Sequence, residues 1–355
     1  MRFLLTSFPL LLVGLASVNL FAGCGSDSVG SGGAGGVVNS GGTNPSGGTG
    51  NPSGGTGNPS GGTGGGGPDV DQNGKPNAAP GATTSTVQDY LRLGEIRLLN
   101  NNWGSAELGC DAPMSVFVNQ DHSFGWTFNR GNCDVADTNQ NPDFPQVEFG
   151  IHPFGIGNPL VTSPEFSSTT LLPLQIKDIA SASVNVTNMT MALQNQSSWN
   201  ITFEFWLSEQ HPTTPGSAGV HTELMTFWGW QGGRWPSAPG ADGAADGGSI
   251  GAAGGDTVSS GSKNYRLWVQ RDVWADGWRY YQFRDDGGAQ TSFSGTVDVK
   301  ALLNYLVNSR GFSQDLWVTR LEVGSEIDDN TSGTVTIQNI AFEVNGQTRT
   351  PVFGP

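Results

Sequence analysis

From Tyr90 onward the chain consists of short runs in which apolar and polar residues alternate, separated by Gly, Pro, Asn and Asp. Alternation with a period of two places every second side chain on one face of a β-strand, so each run predicts a half-buried strand. Many short strands at this spacing are typical of a sandwich of two antiparallel sheets. The predicted strands are 95–99, 115–118, 146–149, 183–186, 199–207, 220–228, 265–270, 279–283, 316–323 and 334–344.

One segment departs from this alternation. Between Asp298 and Val307 the apolar residues recur at helical spacing, with an acidic residue at the start and Gly311 just past the end. We therefore expect one substantial helix, with a buried face formed by Val299, Leu302, Leu303 and Leu306.

The beginning of the chain has the pattern of an export signal. Arg2 precedes an apolar run that ends near Leu20, and small residues precede Cys24. The tetrad 21–24, Phe-Ala-Gly-Cys, resembles the lipobox of bacterial lipoproteins, in which the cysteine is lipidated; an ordinary secretory cleavage is the alternative. We predict a signal peptide over residues 1–23 and an exported protein, held by a lipid at a bacterial cell surface or in the periplasm.

Residues 24–84 are predicted to be a flexible linker. The unit Asn-Pro-Ser-Gly-Gly-Thr-Gly occurs three times in succession, beginning at Asn44, Asn51 and Asn58. Because these repeats contain no apolar residue, stacking them would bury nothing that offsets the cost of ordering the backbone. A linker of this composition reaches roughly 40–45 Å. Residues 85–355 remain for one folded domain.

Charge and cysteine content narrow the classes of partner. A net charge of −15 with only 16 Lys and Arg argues against nucleic acid and anionic lipid surfaces, whereas a neutral polymer is compatible with it. In an exported protein the remaining cysteines, Cys110 and Cys133, most simply form one disulfide. The four histidines show no metal-ligand spacing. We predict a monomer without metal or cofactor.

The candidate chemistry begins with glutamates on apolar strands. Glu223 shares one strand face with Met225 and Phe227, and Glu204 shares another with Trp206. A carboxylate that points inward is costly unless it is paired or has a function. Solvent exposure of both glutamates on an outer surface is the alternative.

A second strand could supply the partner that glycoside cleavage requires. Glycosidases use two carboxyl groups that flank the scissile bond. Glu322 and Glu326 share one face of the strand near residue 320, and the residues alone leave both as candidates or as exposed side chains. The eleven Trp add rings that can stack on sugars, although most must pack in the core. Trp103 is the best candidate for stacking, because it lies in a polar turn between Asn and Gly.

Five blocks, in order, resemble glycoside hydrolase family 12. Glu-Leu-Met followed by Phe227 resembles the strand of that family that carries the nucleophile. The other blocks are Asn-Asn-Asn-Trp-Gly at 100–104 with Gly-Cys at 109–110, Phe-Pro-Gln-Val-Glu-Phe-Gly at 144–150, the strand 199–207, and Val-Gly-Ser-Glu at 323–326. The resemblance spans residues 90–345 and implies a retaining endo-β-1,4-glucanase or xyloglucanase with a jelly-roll fold and a concave cleft.

The resemblance also implies roles for particular residues. Glu223 would be the nucleophile and Glu326 the general acid/base. Glu204 would take the place of an Asp that hydrogen-bonds the nucleophile, and Met225 would lie under the sugar. The implied substrate contacts are Asn101, Trp103, Trp206, Phe227 and Asp328.

Several positions differ from the family pattern. Glu204 replaces Asp, Phe227 replaces Trp, and Ile327-Asp328 replaces Pro-Phe. Glu322 stands where Gln is common, and its negative charge would raise the pKa of Glu326. A Gly- and Ala-rich insertion at 236–262 is expected to be disordered. The alternative function is a glycan-binding surface lipoprotein without catalytic activity.

Overall fold

The structure is a computed structural model. It describes residues 70–102, 104–105, 113–130, 143–153, 166–195, 198–213, 219–231, 255–271, 278–327 and 330–355. The predictions that lie outside these residues are the signal peptide and Cys24, the repeats of the linker, Trp103, Cys110, Cys133, Asp328 and residues 236–254 of the insertion.

The described residues include seventeen strands, an α-helix of 12 residues and a short 3-10 helix at Ile176–Asp178. The strands are β1 (Thr83–Thr84), β2 (Tyr90–Leu93), β3 (Ile96–Leu99), β4 (Met114–Val118), β5 (Phe124–Asn129), β6 (Gln146–Gly150), β7 (Leu174–Gln175), β8 (Ala182–Asn195), β9 (Trp199–Ser208), β10 (Val220–Gln231), β11 (Thr257–Ser260), β12 (Lys263–Arg271), β13 (Arg279–Asp285), β14 (Ser292–Asp298), β15 (Trp317–Gly324), β16 (Ser332–Val344) and β17 (Gln347–Arg349). The helix, α1, is Val299–Arg310.

The strands build two sheets. A seven-stranded sheet has the order β1-β4-β5-β16-β8-β14, with β17 paired to β16, and a ten-stranded sheet has the order β11-β12-β13-β10-β9-β15-β6-β3-β2, with β7 paired to β15. Their facing sides share one core, in which Phe149 stacks on Phe342 at 4.9 Å and Trp228 stacks on Phe293 at 3.7 Å between ring centroids. The predicted all-β sandwich is confirmed.

One strand pair differs from the antiparallel prediction. Strands β10 and β13 are parallel, with Glu223 opposite Tyr280. The chain reverses direction twice, through β11–β12 and β12–β13, before β13 reaches the edge of β10, so the two strands run the same way. The parallel pair depends on this long connection, which local alternation does not reveal.

Some residues in the two stretches that the sequence predicts to be flexible or disordered form regular structure. Thr83–Thr84 pairs with β4, and Val70 forms a bridge to Pro76, so ordered structure begins before residue 85. The expected disorder of 236–262 does not extend to β11, where Val258 and Ser260 are buried. In each case a short segment of an otherwise polar stretch pairs with a strand of the folded domain.

The predicted helix is confirmed. The Asp298 side chain accepts a hydrogen bond from the Ala301 N–H at 3.0 Å, and Gly311 ends the helix with φ 70°. The face with Val299, Leu302, Leu303 and Leu306 is buried. No helix among the described residues is long and apolar enough to cross a membrane.

Candidate active site

The two faces of the ten-stranded sheet have different environments. On β9, Phe203 and Phe205 belong to the core shared with the other sheet, so Glu204 and Trp206 lie on the opposite face. Met225 of β10 and Glu322 of β15 are the register partners of Glu204 and share its face. We call this the site face.

Strand register aligns residues of the site face in two rows across the sheet. The first row is Arg97, Glu148, Glu322, Glu204, Met225 and Gln282. The second row is Arg320, Trp206, Glu223 and Tyr280. Glu326 follows the end of β15 and lies beside Asn200, at the start of β9. The rows bring together side chains that are far apart in sequence.

Glu223 is half-buried on the site face and contacts an indole. The Trp278 Nε1–H donates a hydrogen bond to Glu223 Oε2 at 3.1 Å. Trp278 in turn packs edge-on against Trp206, with ring centroids 6.1 Å apart and planes at 67°. A donor to a carboxylate favours its ionised form and fixes one of its oxygens.

Asn200 holds Glu326 in place. The Glu326 backbone N–H donates to Asn200 Oδ1 at 2.9 Å, and the Asn200 Nδ2 donates to Glu326 Oε2. The Asn200 backbone N–H also donates to the Glu326 carbonyl at 2.9 Å. Sequence reasoning missed Asn200, although its place on the same alternating face as Glu204 was a usable signal.

Glu204 has a different environment from Glu223. Its side chain is 3% exposed. Burial raises the pKa of Glu204 well above its ordinary value, and the charge of Glu326 raises it further; Arg320 and the Trp206 hydrogen bond act in the opposite direction. The balance favours a protonated, neutral Glu204 next to Glu326.

Tyr280 is buried on the site face, where it lies opposite Glu223 and places its hydroxyl beside Met225. Burial raises its pKa well above the ordinary value, and the charges of Glu223, Glu326 and Glu204 add to that effect. The Tyr280 hydroxyl donates to Met225 Sδ at 3.1 Å. The sequence analysis placed Tyr280 on a strand and gave it no role.

A buried ion-pair network lies next to these residues. Glu148 lies 3.2 Å from Arg97 Nη1 and 3.4 Å from both Arg320 Nη1 and His152 Nε2. Burial acts to raise the pKa of Glu148, but the charge of Arg320 and the contacts of His152 and Arg97 outweigh it, so this pKa is below its usual range. Burial, together with Arg320, lowers the pKa of His152 to about 4.

The same network includes Glu322. Arg320 Nη2 forms an ion pair with Glu322 Oε2, the Gln146 Nε2 donates to that oxygen at 2.7 Å, and the Trp206 Nε1–H donates to Oε1 at 2.8 Å. The Arg320 guanidinium thus compensates the negative charge of Glu322, which was expected to act on Glu326. Glu322 accepts the hydrogen bond of the Trp206 indole and so fixes the orientation of that ring.

The other residues predicted to contact substrate differ in their exposure to solvent. Asn101 is partly exposed, and its Nδ2 donates to Gln146 Oε1 at 3.3 Å. Trp206, Met225 and Phe227 are buried, and the last two pack with Tyr280 beneath the site. In the described part of the chain no three His, Cys, Asp or Glu side chains form a group that could hold a metal ion.

Comparison with known proteins identifies the class of fold. The sequence matches no protein-family model and no curated protein. In three dimensions the chain has the β-jelly roll of solved family 12 glycoside hydrolases.

Three solved structures illustrate the similarity. A family 12 xyloglucanase from Bacillus licheniformis gives a TM-score of 0.56, with 17% identity over 74% of this chain and 100% of that one. A metagenome-derived family 12 endoglucanase gives 0.54, with 20% identity over 76% and 100%. Endoglucanase cel12A from Rhodothermus marinus gives 0.53, with 20% identity over 76% and 99%. At these identities the similarity establishes the fold.

Proposed function

We propose that the protein is a retaining, endo-acting glycoside hydrolase that cleaves β-1,4-glucan backbones such as cellulose, mixed-linkage glucan or xyloglucan. The observation that carries the proposal is that Glu204 and Glu223 share one face of adjacent strands, and that Glu326 follows the strand on the other side of Glu204 and is held by Asn200. The endoglucanases and the xyloglucanase with the same fold support the substrate class.

The reaction would proceed by double displacement. In the first step Glu223 attacks the anomeric carbon, the glycosidic C–O bond breaks, and Glu326 donates a proton to the leaving oxygen. In the second step Glu326 takes a proton from water, which attacks the same carbon and breaks the ester to Glu223. Each step inverts the anomeric centre, so the configuration is retained overall.

The surrounding groups suit this division of roles. Burial raises the pKa of Glu204 and the charge of Glu326 raises it further, so in the proposed mechanism the two carboxyl groups would share a proton that Glu326 delivers to the leaving oxygen. Asn200 fixes the carboxyl group of Glu326. Trp278 donates to Glu223 and favours the ionised form that a nucleophile needs.

The direct test compares three glutamine variants on mixed-linkage β-glucan, carboxymethyl cellulose and xyloglucan. We expect Glu326→Gln to lose about 10²–10⁴-fold in reducing-end release, since general acid/base catalysis has this magnitude. Glu223→Gln should lose at least as much, because the covalent step disappears. Viscosity should fall early in the wild-type reaction, as endo cleavage requires.

Glu209→Gln is the matched control, because Glu209 is an exposed carboxylate just past the end of β9. It should retain wild-type activity. Full activity in Glu223→Gln or Glu326→Gln would refute the assignment. Binding of glycan by the wild type without release of reducing ends would favour the non-catalytic alternative.

A further inference from the structure

Trp278 lies directly before β13 and adjoins the proposed nucleophile. It is half-buried, and its Nε1–H donates to Glu223 Oε2 at 3.1 Å. A charge-assisted hydrogen bond of this kind constrains both the position of the carboxylate and its basicity. Besides the role that the family resemblance implies for residue 204, Glu223 has a contact from the indole of the residue that precedes the neighbouring strand.

Trp278 contacts Trp206, which in turn is hydrogen-bonded to the buried ion-pair network. Trp206 packs edge-on against it at 6.1 Å between ring centroids. Trp206 in turn donates its Nε1–H to Glu322 at 2.8 Å, and Glu322 is held by Arg320 and Gln146. Both indoles therefore have a fixed orientation, as a positioning group requires.

We infer that Trp278 is a positioning residue for Glu223: its indole N–H holds one carboxylate oxygen and directs the other toward the anomeric carbon. The inference rests on the proposed function and deepens it. Trp278 would act through Glu223, and its effect should differ between the two chemical steps.

The second step depends more strongly on this N–H. When water attacks the glycosyl ester, the bond between the anomeric carbon and the Glu223 oxygen breaks and its electron pair returns to the carboxylate. The Trp278 N–H stabilises the charge that develops there. In the first step the carboxylate gives up charge, so the same bond mainly fixes its geometry.

Trp278→Phe keeps the ring and removes only the donor. On dinitrophenyl β-cellobioside, whose leaving group needs little acid assistance, we expect kcat to fall about tenfold to a hundredfold, the magnitude of a lost hydrogen bond to a charged group. KM should fall with it and the pre-steady-state burst should grow, because the glycosyl-enzyme accumulates. In the pH profile of kcat/KM the acid limb should move to higher pH, since a carboxylate that has lost its hydrogen-bond donor is more basic.

Two further variants make the result specific. Trp278→His, which restores an N–H donor, should move the acid limb part of the way back. Trp228→Phe is the control: its Nε1–H donates to the Tyr265 hydroxyl at 2.9 Å on the opposite face of the sheet, so the acid limb should not move. An unchanged kcat, KM and acid limb in Trp278→Phe would overturn the inference. An increase in KM with no other change would also overturn it, because Trp278 would then only bind the sugar.

A substrate-free measurement separates this inference from the proposed function. The carboxyl carbon of Glu223 can be titrated by NMR in 13C-glutamate-labelled protein, with Glu223→Gln as the assignment control. We expect the pKa of Glu223 to be higher in Trp278→Phe than in the wild type. Equal values would overturn the inference, whereas a wild type that cleaves neither glucan nor aryl glycoside would refute only the proposed function.

Discussion

At the scale of single residues, environment divides the carboxyl groups of one sheet face into two kinds. Glu148 is surrounded by Arg97, His152 and Arg320, and its pKa lies below the ordinary range in spite of burial. Glu204 is equally buried, but its neighbour is the negative charge of Glu326, and its pKa is raised. The sign of the neighbouring charges separates the pKa values of these two buried carboxyl groups.

The raised pKa of Glu204 predicts a pH-dependent stability. Above about pH 4.3 an unfolded glutamate has lost its proton, while folded Glu204 still holds one, so the free energy of unfolding decreases as pH rises toward the folded pKa. Gln does not titrate. Glu204→Gln should therefore gain stability relative to wild type from pH 4 to pH 8, as measured by urea unfolding. Parallel curves for the two proteins would contradict the raised pKa.

The sequence could predict which strand faces carry carboxyl groups, because alternation is local. The common face of Glu223, Met225 and Phe227 follows from their spacing alone. The roles of Tyr280 and Trp278 could not be predicted in this way, since their contacts with β10 depend on the parallel pairing of β10 and β13. Contacts between strands are a property of register, which one sequence does not display.

At the scale of elements, β6 and β15 carry the charges that support the site. The two strands pair in register, so Glu148 lies opposite Glu322 and next to Arg320. Two carboxylates this close would repel each other without the guanidinium between them. The Arg320 side chain is 2% exposed, and burial lowers its pKa to about 10, which leaves it charged at neutral pH.

Removal of this cation should strongly destabilise the fold. Arg320→Met leaves Glu148 and Glu322 buried without their shared partner, so we expect a loss of about 3–5 kcal/mol in the free energy of unfolding. Arg266→Met is the matched control, because Arg266 and Asp286 form an ion pair that is 34% exposed on each side. The control should lose at most about 1 kcal/mol. Equal losses by denaturant titration would show that the buried network contributes little.

Helix α1 could be predicted nearly in full, because its cap at Asp298, its apolar spacing and the terminal Gly311 are all local signals. Strand β11 was missed for the opposite reason. Its four residues follow a Gly- and Ala-rich stretch, and they form a strand only because β12 pairs with them. Short strands of this kind depend on partners that sequence alternation does not identify.

At the scale of the whole molecule, the fold is shared with family 12 endoglucanases at 20% identity, and the site geometry carries the functional argument. The same jelly roll can serve binding or catalysis, so the carboxyl groups must decide between them. Export, lipidation at Cys24, the disulfide and the monomeric state stay predictions. The net charge of −15 is consistent with an uncharged polysaccharide as substrate.

The most direct test of the central claim is covalent trapping of the nucleophile. The protein is incubated with dinitrophenyl 2-deoxy-2-fluoro-β-cellobioside, which slows release of the glycosyl-enzyme, and its peptides are analysed by mass spectrometry. We predict one fluorocellobiosyl group on Glu223, absent from Glu223→Gln and still formed by Glu326→Gln, since this leaving group needs little acid assistance. A label on any other residue, or cleavage of glucan with inversion and no label, would contradict the account.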